Sequence, residues 1–302
     1  MANGASNFVP QIKGIDKVGV FTLRALDGAF KILDYLKDVK TILLIGGGVQ
    51  NLETANVLSK SGKKVIIVEF ASRLMTRQLD QFASNRLRQS IEAQGVEVML
   101  DTQVQEILGT GKVEGFITKS GVQGSCDMVI YSTGIMPNIH ITHDTDLGIN
   151  KGIVVNERME TNINDIFAAG DISEFNGKVY GLWGIAMQQG KIAGANICNQ
   201  GLIFEIQKPV TSLDAFDISV FSMGDIEECP DTDLLIEMQN DSHRYYKLFI
   251  RNNHIVGTIV LGDSKKFMSI KSLIENKIEV NFVKEAHYSV DEFIEIIRNE
   301  KK

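Results

Sequence analysis

The chain has 302 residues, more than one hydrophobic core usually serves, so its length points to two or three domains. With 44% hydrophobic and 23% charged residues it has a globular composition, and a formal charge of −7 leaves no basic face for nucleic acid or an anionic membrane. No apolar run reaches the roughly 20 residues that span a bilayer, and no basic segment leads into an apolar one at the start, so the expected location is the cytoplasm.

From Val18 to about Pro137, apolar strands alternate with helical stretches. Thr41 to Ile45, Lys64 to Glu69, Val96 to Leu100, Val113 to Lys119 and Met128 to Ser132 read as strands, and the alternation predicts a parallel sheet covered on both faces. Arg77 to Gln94 reads as a helix, with Leu79, Phe82, Leu87 and Ile91 at helical spacing and Gly95 just past its end. Glycines at 109, 111, 115, 121 and 124 then punctuate a small hairpin region.

The block from Asn138 to about Ile203 offers a strand at Asp165 to Ala169, a turn at Gly170-Asp171 and a helix through Ala186 to Ile197. From Phe204 onward a hairpin is predicted, Tyr245 to Ile250 with His254 to Leu261 turning through Arg251-Asn252-Asn253, followed by helices near Phe267 to Asn276 and Val290 to Asn299. Cys126, Cys198 and Cys229 are dispersed without a C-x-x-C pair, which suits a reducing compartment and packed side chains. His140 and His143 have no companions at metal-ligand spacing, so no metal is expected.

The chemistry-bearing motif is the apolar strand Thr41 to Ile45 running directly into Gly46-Gly47-Gly48, with Leu52, Ala55 and Leu58 as a helical stripe beyond. This strand, glycine turn and helix is the context of a dinucleotide fingerprint. Gly46 permits the tight turn, Gly48 lets the backbone approach a pyrophosphate, and the helix N-terminus offers unpaired N–H groups to the phosphates. A second apolar strand ends in Glu69, 23 residues beyond Gly46 and close to the spacing of about 20 for the acid that accepts ribose hydroxyls. Glu69 would repel a 2′-phosphate, which favours NAD over NADP. The same residues also fit a βαβ unit whose glycine turn is only architectural. The third glycine of G-x-G-x-x-G falls at 51, where the chain has Asn51; a side chain there is expected to push the helix away or intrude on the phosphate site, weakening NADH binding.

At this point the chain resembles the pyridine nucleotide-disulfide oxidoreductase family, in its branch of NADH:rubredoxin oxidoreductases, NADH oxidases and the flavin part of nitrite reductases. Gly46-Gly-Gly-Val-Gln-Asn-Leu-Glu53 is similar to the family's G-G-G-x-x-G-x-E apart from Asn51, and Glu69 to Asp80 resembles the segment after the second strand of its NADH domain. Ser132-Thr-Gly134-Ile-Met-Pro-Asn138 is similar to A-T-G-x-x-P-N, and Thr161 to Glu174 resembles T-S-x-x-x-I-F-A-A-G-D-x-x-E. Ala2 to Gly14 resembles the family's A-T-G-A-x-x-x-x-P-x-I-x-G, which ends its first FAD-binding segment. On that alignment the segment holding the ADP half of FAD lies outside this chain, with Met1 at an internal position of the pattern.

The resemblance implies an α/β fold with a Rossmann-like NADH-binding domain over 18–137, an incomplete FAD-binding domain from 1–17 and 138–205, and a small C-terminal α+β interface domain over 206–302. It implies that Gly46, Gly47, Gly48, Glu53, Glu69, Gly134, Gly170 and Asp171 bind cofactor, with Glu53 helping to orient the nicotinamide and Asp171 on the ribitol hydroxyls of FAD. Read without the family, Asp171 fits either a hydroxyl acceptor at a strand end or a helix-capping aspartate. The function implied is an NADH-dependent flavoprotein oxidoreductase, passing electrons from NADH through FAD to rubredoxin or another small acceptor. A flavin-free nucleotide-binding or interaction module is the alternative. The strand at Asp165 to Ala169 would lack a neighbour on this reading, so either another chain fills the gap, the block repacks or two chains pair through it, and association or poor solubility is expected.

Overall fold

A computed structural model describes residues 1–206, 208–239, 244–280 and 288–299. These fall into two compact units, one of Met1–Pro10 with Thr133–Gln207 and one of Gln11–Ser132 with Lys208–Lys302. The sequence reading drew a boundary at 205/206, whereas here the C-terminal block shares a unit with the glycine turn.

The larger unit is built on a five-stranded parallel sheet in the order Val20–Phe21, Met128–Tyr131, Thr41–Ile45, Lys64–Val68, Glu97–Met99. Thr41–Ile45 is central, with Leu43 opposite Ile66 on one side and Val129 on the other. Alternate residues of a strand face opposite ways. Ile42 and Leu44 therefore pack against Leu52, Ala55 and Leu58 of the helix Val49–Lys60 and against Ala83, Leu87 and Ile91 of the helix Gln81–Ala93. Leu43 and Ile45 face the other way, onto Val104, Ile107, Val113 and Phe116. That second cover is a three-stranded antiparallel sheet, Val104–Leu108, Gly115–Thr118 and Gln123–Ser125, the region that the run of glycines marked as a hairpin. The helix expected from Arg77 begins at Gln81, because Asp80 caps it by accepting from Ala83 N–H at 2.9 Å.

In the C-terminal block the sheet order is Val210–Ala215, Ile218–Gly224, His254–Leu261, Arg244–Arg251, Asp233–Gln239, all antiparallel. Its hairpin turns through Asn252 and Asn253, both left-handed (φ +48° and +58°), the geometry that matches the twist of the flanking strands. One face carries Tyr246, Leu248 and Ile250 under the helices Ser264–Glu275 and Val290–Asn299. The other, with Tyr245, Phe249, Ile259 and Leu261, joins the core of the parallel sheet's helices. The described residues contain no helix long and apolar enough to cross a membrane.

The smaller unit has two short sheets, Ala5–Asn7 antiparallel to Ile135–Pro137 and Ile153–Val155 parallel to Ser173–Phe175, and the helix Trp183–Ile197. The strand predicted at Asp165 to Ala169 is not formed. Asp165 is left-handed (φ +64°), and Phe167 makes only an isolated bridge to Glu160. Its backbone bonds are scattered, with Ala168 N–H donating to Met159 C=O and Ala169 N–H to Met1 C=O, so no ladder holds it extended. Trp183, Met187 and Ile197 of the helix are 83%, 62% and 62% exposed.

Glu174, buried at 2% exposure, organises this unit. Its carboxylate accepts from Asn150 Nδ2, Lys151 N–H and Gly152 N–H at 2.8, 2.6 and 3.0 Å. Burial pushes its pKa up, but these three donors outweigh burial and the carboxyl sits below its ordinary value. Its stabilisation is therefore complete above the ordinary glutamate range and is lost as pH falls through the depressed value. Glu174→Gln should destabilise the protein at pH 7 by about 1–3 kcal/mol and flatten the acid limb of its stability curve, read by thermal melts across pH 3–7.

Candidate functional site

The parallel sheet reverses its winding on either side of Thr41–Ile45, and ligands of such sheets bind where the strand order switches. There the chain makes its glycine turn. Gly46 has φ +110°, and a Cβ on it would lie 2.5 Å from Ser132 C=O, so both conformation and space require glycine. A Cβ on Gly47 would meet Leu74 Cδ2 at 2.6 Å and Glu69 Oε2 at 2.9 Å. Gly48 differs: its φ of −85° suits any residue and a Cβ there would meet nothing within 4 Å. Nothing in the protein itself demands glycine at 48; a ligand lying against the turn would. Gly48 also heads the helix Val49–Lys60, whose N-terminus has no side-chain cap.

Asn51 does not push the helix off or enter that open side. It is 1% exposed, and its Nδ2 donates to Ile45 C=O at 2.8 Å and Gly46 C=O at 2.9 Å, so the side chain stitches the helix to the end of the strand beneath the turn. The expectation of a displaced helix fails because those carbonyls accept the amide. Asn51 Oδ1 has no partner.

Glu69 stands at the end of the neighbouring strand. Its Oε2 accepts from Gly47 N–H and its Oε1 from Ala71 N–H at 2.7 Å. Each oxygen keeps a lone pair for a further donor. Glu53 is exposed on the helix. Sequence reasoning missed Met75, which is buried, left-handed at φ +50°, and donates its N–H to Gly47 C=O at 3.1 Å. No residue type in the sequence announces that conformation, since a methionine ordinarily avoids it.

Gly46, Gly47, Gly48, Glu53 and Glu69 thus belong to one unit, and Gly134, Gly170 and Asp171 to the other. Gly134 is left-handed (φ +114°), accepts from Phe8 N–H through its carbonyl, and has open space where a Cβ would stand. Gly170 (φ +79°) opens a single 3-10 turn, Gly170–Ile172, that contains Asp171, so Asp171 caps no α-helix. Gln189, 1% exposed, was not singled out by sequence. Its Oε1 accepts from Gly170 N–H at 2.8 Å and Ser173 Oγ at 3.0 Å, which fixes the amide's orientation and leaves Nε2 buried without an acceptor. An orphaned buried donor beside the Gly170-Asp171 turn fits a ligand rich in acceptors, as a flavin dinucleotide is.

Comparison with known proteins gives the family. Residues 1–190 match the family model described as pyridine nucleotide-disulphide oxidoreductase, and residues 209–278 match the rubredoxin NAD+ reductase C-terminal domain. The chain is 32% identical over 282 residues to nitrite reductase [NAD(P)H] of Bacillus subtilis (strain 168), which covers 93% of this chain and 35% of that protein. It is 32% identical over 257 residues to the NADH-rubredoxin oxidoreductase of Clostridium acetobutylicum, covering 85% of this chain and 64% of the relative. Among solved structures, a NAD-dependent persulfide reductase from A. fulgidus superposes with a TM-score of 0.85 at 24% identity, over 99% of this chain and 62% of that one. The chain therefore spans about a third to two thirds of the curated relatives it matches. A Rossmann-like parallel sheet with a glycine turn at its switch point, joined to a small sheet-rich C-terminal domain, is the shared architecture, and the chain belongs to the pyridine nucleotide-disulphide oxidoreductase family, whose enzymes use FAD and NAD(P)H.

Proposed function

We propose that this chain binds NADH at the turn Gly46–Gly48 and FAD at the Gly170-Asp171 turn, and serves an oxidoreductase that passes electrons from NADH through the flavin to rubredoxin or another small acceptor. The observation that carries the reading is Gly48, a glycine required by no atom of the protein, at the head of an uncapped helix one residue beyond the Gly47 that Glu69 grips. When bound, FAD would supply the redox group that takes up a hydride from the nicotinamide and passes electrons on.

The residues' own work is binding and orientation. The unpaired N–H groups of the helix's first turn and its positive end favour a pyrophosphate. Glu69, already fixed by Gly47 and Ala71, turns its remaining lone pairs toward ribose hydroxyls, and its charge opposes a 2′-phosphate. Glu53 orients the nicotinamide, Asp171 accepts the ribitol hydroxyls, and Gln189 Nε2 supplies a donor beside Asp171. The rubredoxin reductase C-terminal match and the rubredoxin-reducing relative support a small redox protein as acceptor.

Anaerobic spectroscopy tests the whole reading. The purified chain with added FAD should show flavin absorption that bleaches on adding NADH; a colourless chain unchanged by either cofactor would favour the flavin-free alternative. Gly48→Ala should cost the fold no more than about 1 kcal/mol, the scale of alanine at a helix N-cap, yet weaken NADH binding about tenfold in a fluorescence titration. Glu69→Gln, which removes the charge and keeps the size, should narrow the preference for NADH over NADPH, measured as the ratio of their dissociation constants.

A further inference from the structure

Lys247 occupies an unexpected place. On the strand Arg244–Arg251 it alternates with Tyr245 and Phe249, which face the core shared with the parallel sheet's helices, and it is itself only 5% exposed. Its ammonium bonds Asp80 Oδ2 at 2.9 Å and Glu228 Oε1 at 2.6 Å and lies 5.3 Å from the Phe249 ring centroid. Tyr245 OH donates to the same Asp80 oxygen at 2.6 Å, and the Tyr245 ring packs on Phe82 with centroids 4.7 Å apart. A buried ion pair adds little net stability, because desolvation offsets the attraction; its better attested use is to fix register. What this one fixes is Asp80.

Asp80 ends the segment that starts at Glu69, and hydrogen bonds and buried leucines tie that segment down between them. Met75 C=O accepts from both Gln78 and Leu79 N–H, and the Arg73 guanidinium donates to the Thr76 and Leu79 carbonyls. Leu74 and Leu79 are fully buried. Met75 keeps a backbone conformation that methionine disfavours, and such strain persists only where the surroundings over-determine it. At the far end both polar atoms of the Gly47 residue are claimed, the N–H by Glu69 and the C=O by Met75 N–H. Two clamps thus hold one brace, Asp80 on the C-terminal sheet and Gly47 on the glycine turn.

We propose that Lys247 and Tyr245 of the C-terminal sheet are positioning residues for the glycine turn, acting through Asp80 and the strained Met75 to hold Gly47 so that the neighbouring N–H groups face the nucleotide. This rests on the reading of that turn as the NADH site. It assigns the C-terminal sheet a part in nucleotide binding beside any part in meeting an acceptor, and it makes the segment from Glu69 to Asp80 the connection between them.

Full-length wild-type, Lys247→Met and Tyr245→Phe chains would be compared by thermal melting, NADH titration and amide hydrogen exchange. Both variants should remain folded at room temperature, with the dissociation constant for NADH raised about five- to twentyfold, the scale of coupling between linked sites. Exchange should accelerate at the Gly47 and Met75 amides while Leu43 and Leu44 in the central strand stay protected. A lowered melting temperature with unchanged NADH affinity and unchanged exchange at Gly47 and Met75 would overturn the proposal and leave Lys247 a purely structural ion. If Lys247→Met does not fold, Tyr245→Phe decides, since it deletes one hydroxyl and keeps the ring and the ammonium. A wild-type chain that fails to bind NADH would sink the nucleotide reading alone, because the exchange measurement still tests whether the brace reaches the turn.

Discussion

The constraint on which the larger unit depends is the two-sided burial of Thr41–Ile45. Ile42, Leu43 and Leu44 are inaccessible to solvent, and the strand has a parallel neighbour along each edge. Its backbone groups are therefore paired and its side chains committed to two separate cores. At its C-terminal end the chain passes from buried Ile45 into the glycine turn, and there the crossovers depart in opposite directions. Any side chain at Gly46 would strike Ser132 C=O of the adjacent strand connection, so the tightness of the turn follows from the closeness of the strands. The open position at Gly48 is then a consequence of the fold's topology rather than a local accident.

The same helix-covered core recruits the C-terminal sheet. Leu213, Phe216, Tyr245, Phe249 and Ile259 add to the layer formed by Leu52, Ala55, Leu87 and Ile91, and polar ties accompany the apolar ones. Asn56 Oδ1 accepts from Phe216 N–H at 3.1 Å, and Gln94 Nε2 donates to Asp217 at 2.9 Å. Phe216 and Asp217 are both left-handed (φ +55° and +59°), the conformation of a two-residue hairpin turn, so that hairpin's tip is where the sheet meets the helices. Shared burial of this kind couples the stability of the parallel sheet's helical layer to the C-terminal sheet, unlike a linker-joined module.

Features fixed by local sequence were legible. Continuous apolar runs marked four of the five parallel strands, missing Val20–Phe21 and counting in Val113 to Lys119, which belongs to the antiparallel sheet, while glycine and Glu69 marked the switch point and two asparagines marked the hairpin at 252–253. Features fixed by tertiary partners were not. Asp165 to Ala169 has the composition of a strand, but a strand also needs a ladder partner, and its amides bond to scattered carbonyls instead. Asn51 read as an obstruction because its spacing is that of a glycine; only the carbonyls of Ile45 and Gly46 make it a stitch. Met75 and Lys247 gave no sign at all, since the first defies its own backbone preference and the second alternates onto a buried face where lysine is rare.

The two units differ in how completely their buried polar atoms are satisfied. Arg158 Nε pairs with Glu160 Oε1 at 3.5 Å; five other buried side-chain atoms among the described residues lack partners, and four of them, Tyr180 OH, Gln188 Oε1, Gln189 Nε2 and Asn196 Oδ1, belong to the smaller unit. Each such group carries a desolvation penalty of about 1–3 kcal/mol unless something meets it. The smaller unit also holds Trp183, the most exposed large apolar residue among the described residues. A ligand that satisfies such groups adds its binding free energy to the unit's stability by mass action. The NADH-type turn, by contrast, is held by bonds internal to the chain, Gly47 to Glu69 and Met75 and Asn51 to Ile45 and Gly46. Its geometry is therefore set by the chain itself, whereas Gln189 Nε2 beside the Gly170-Asp171 turn is left without an acceptor by the chain's own atoms.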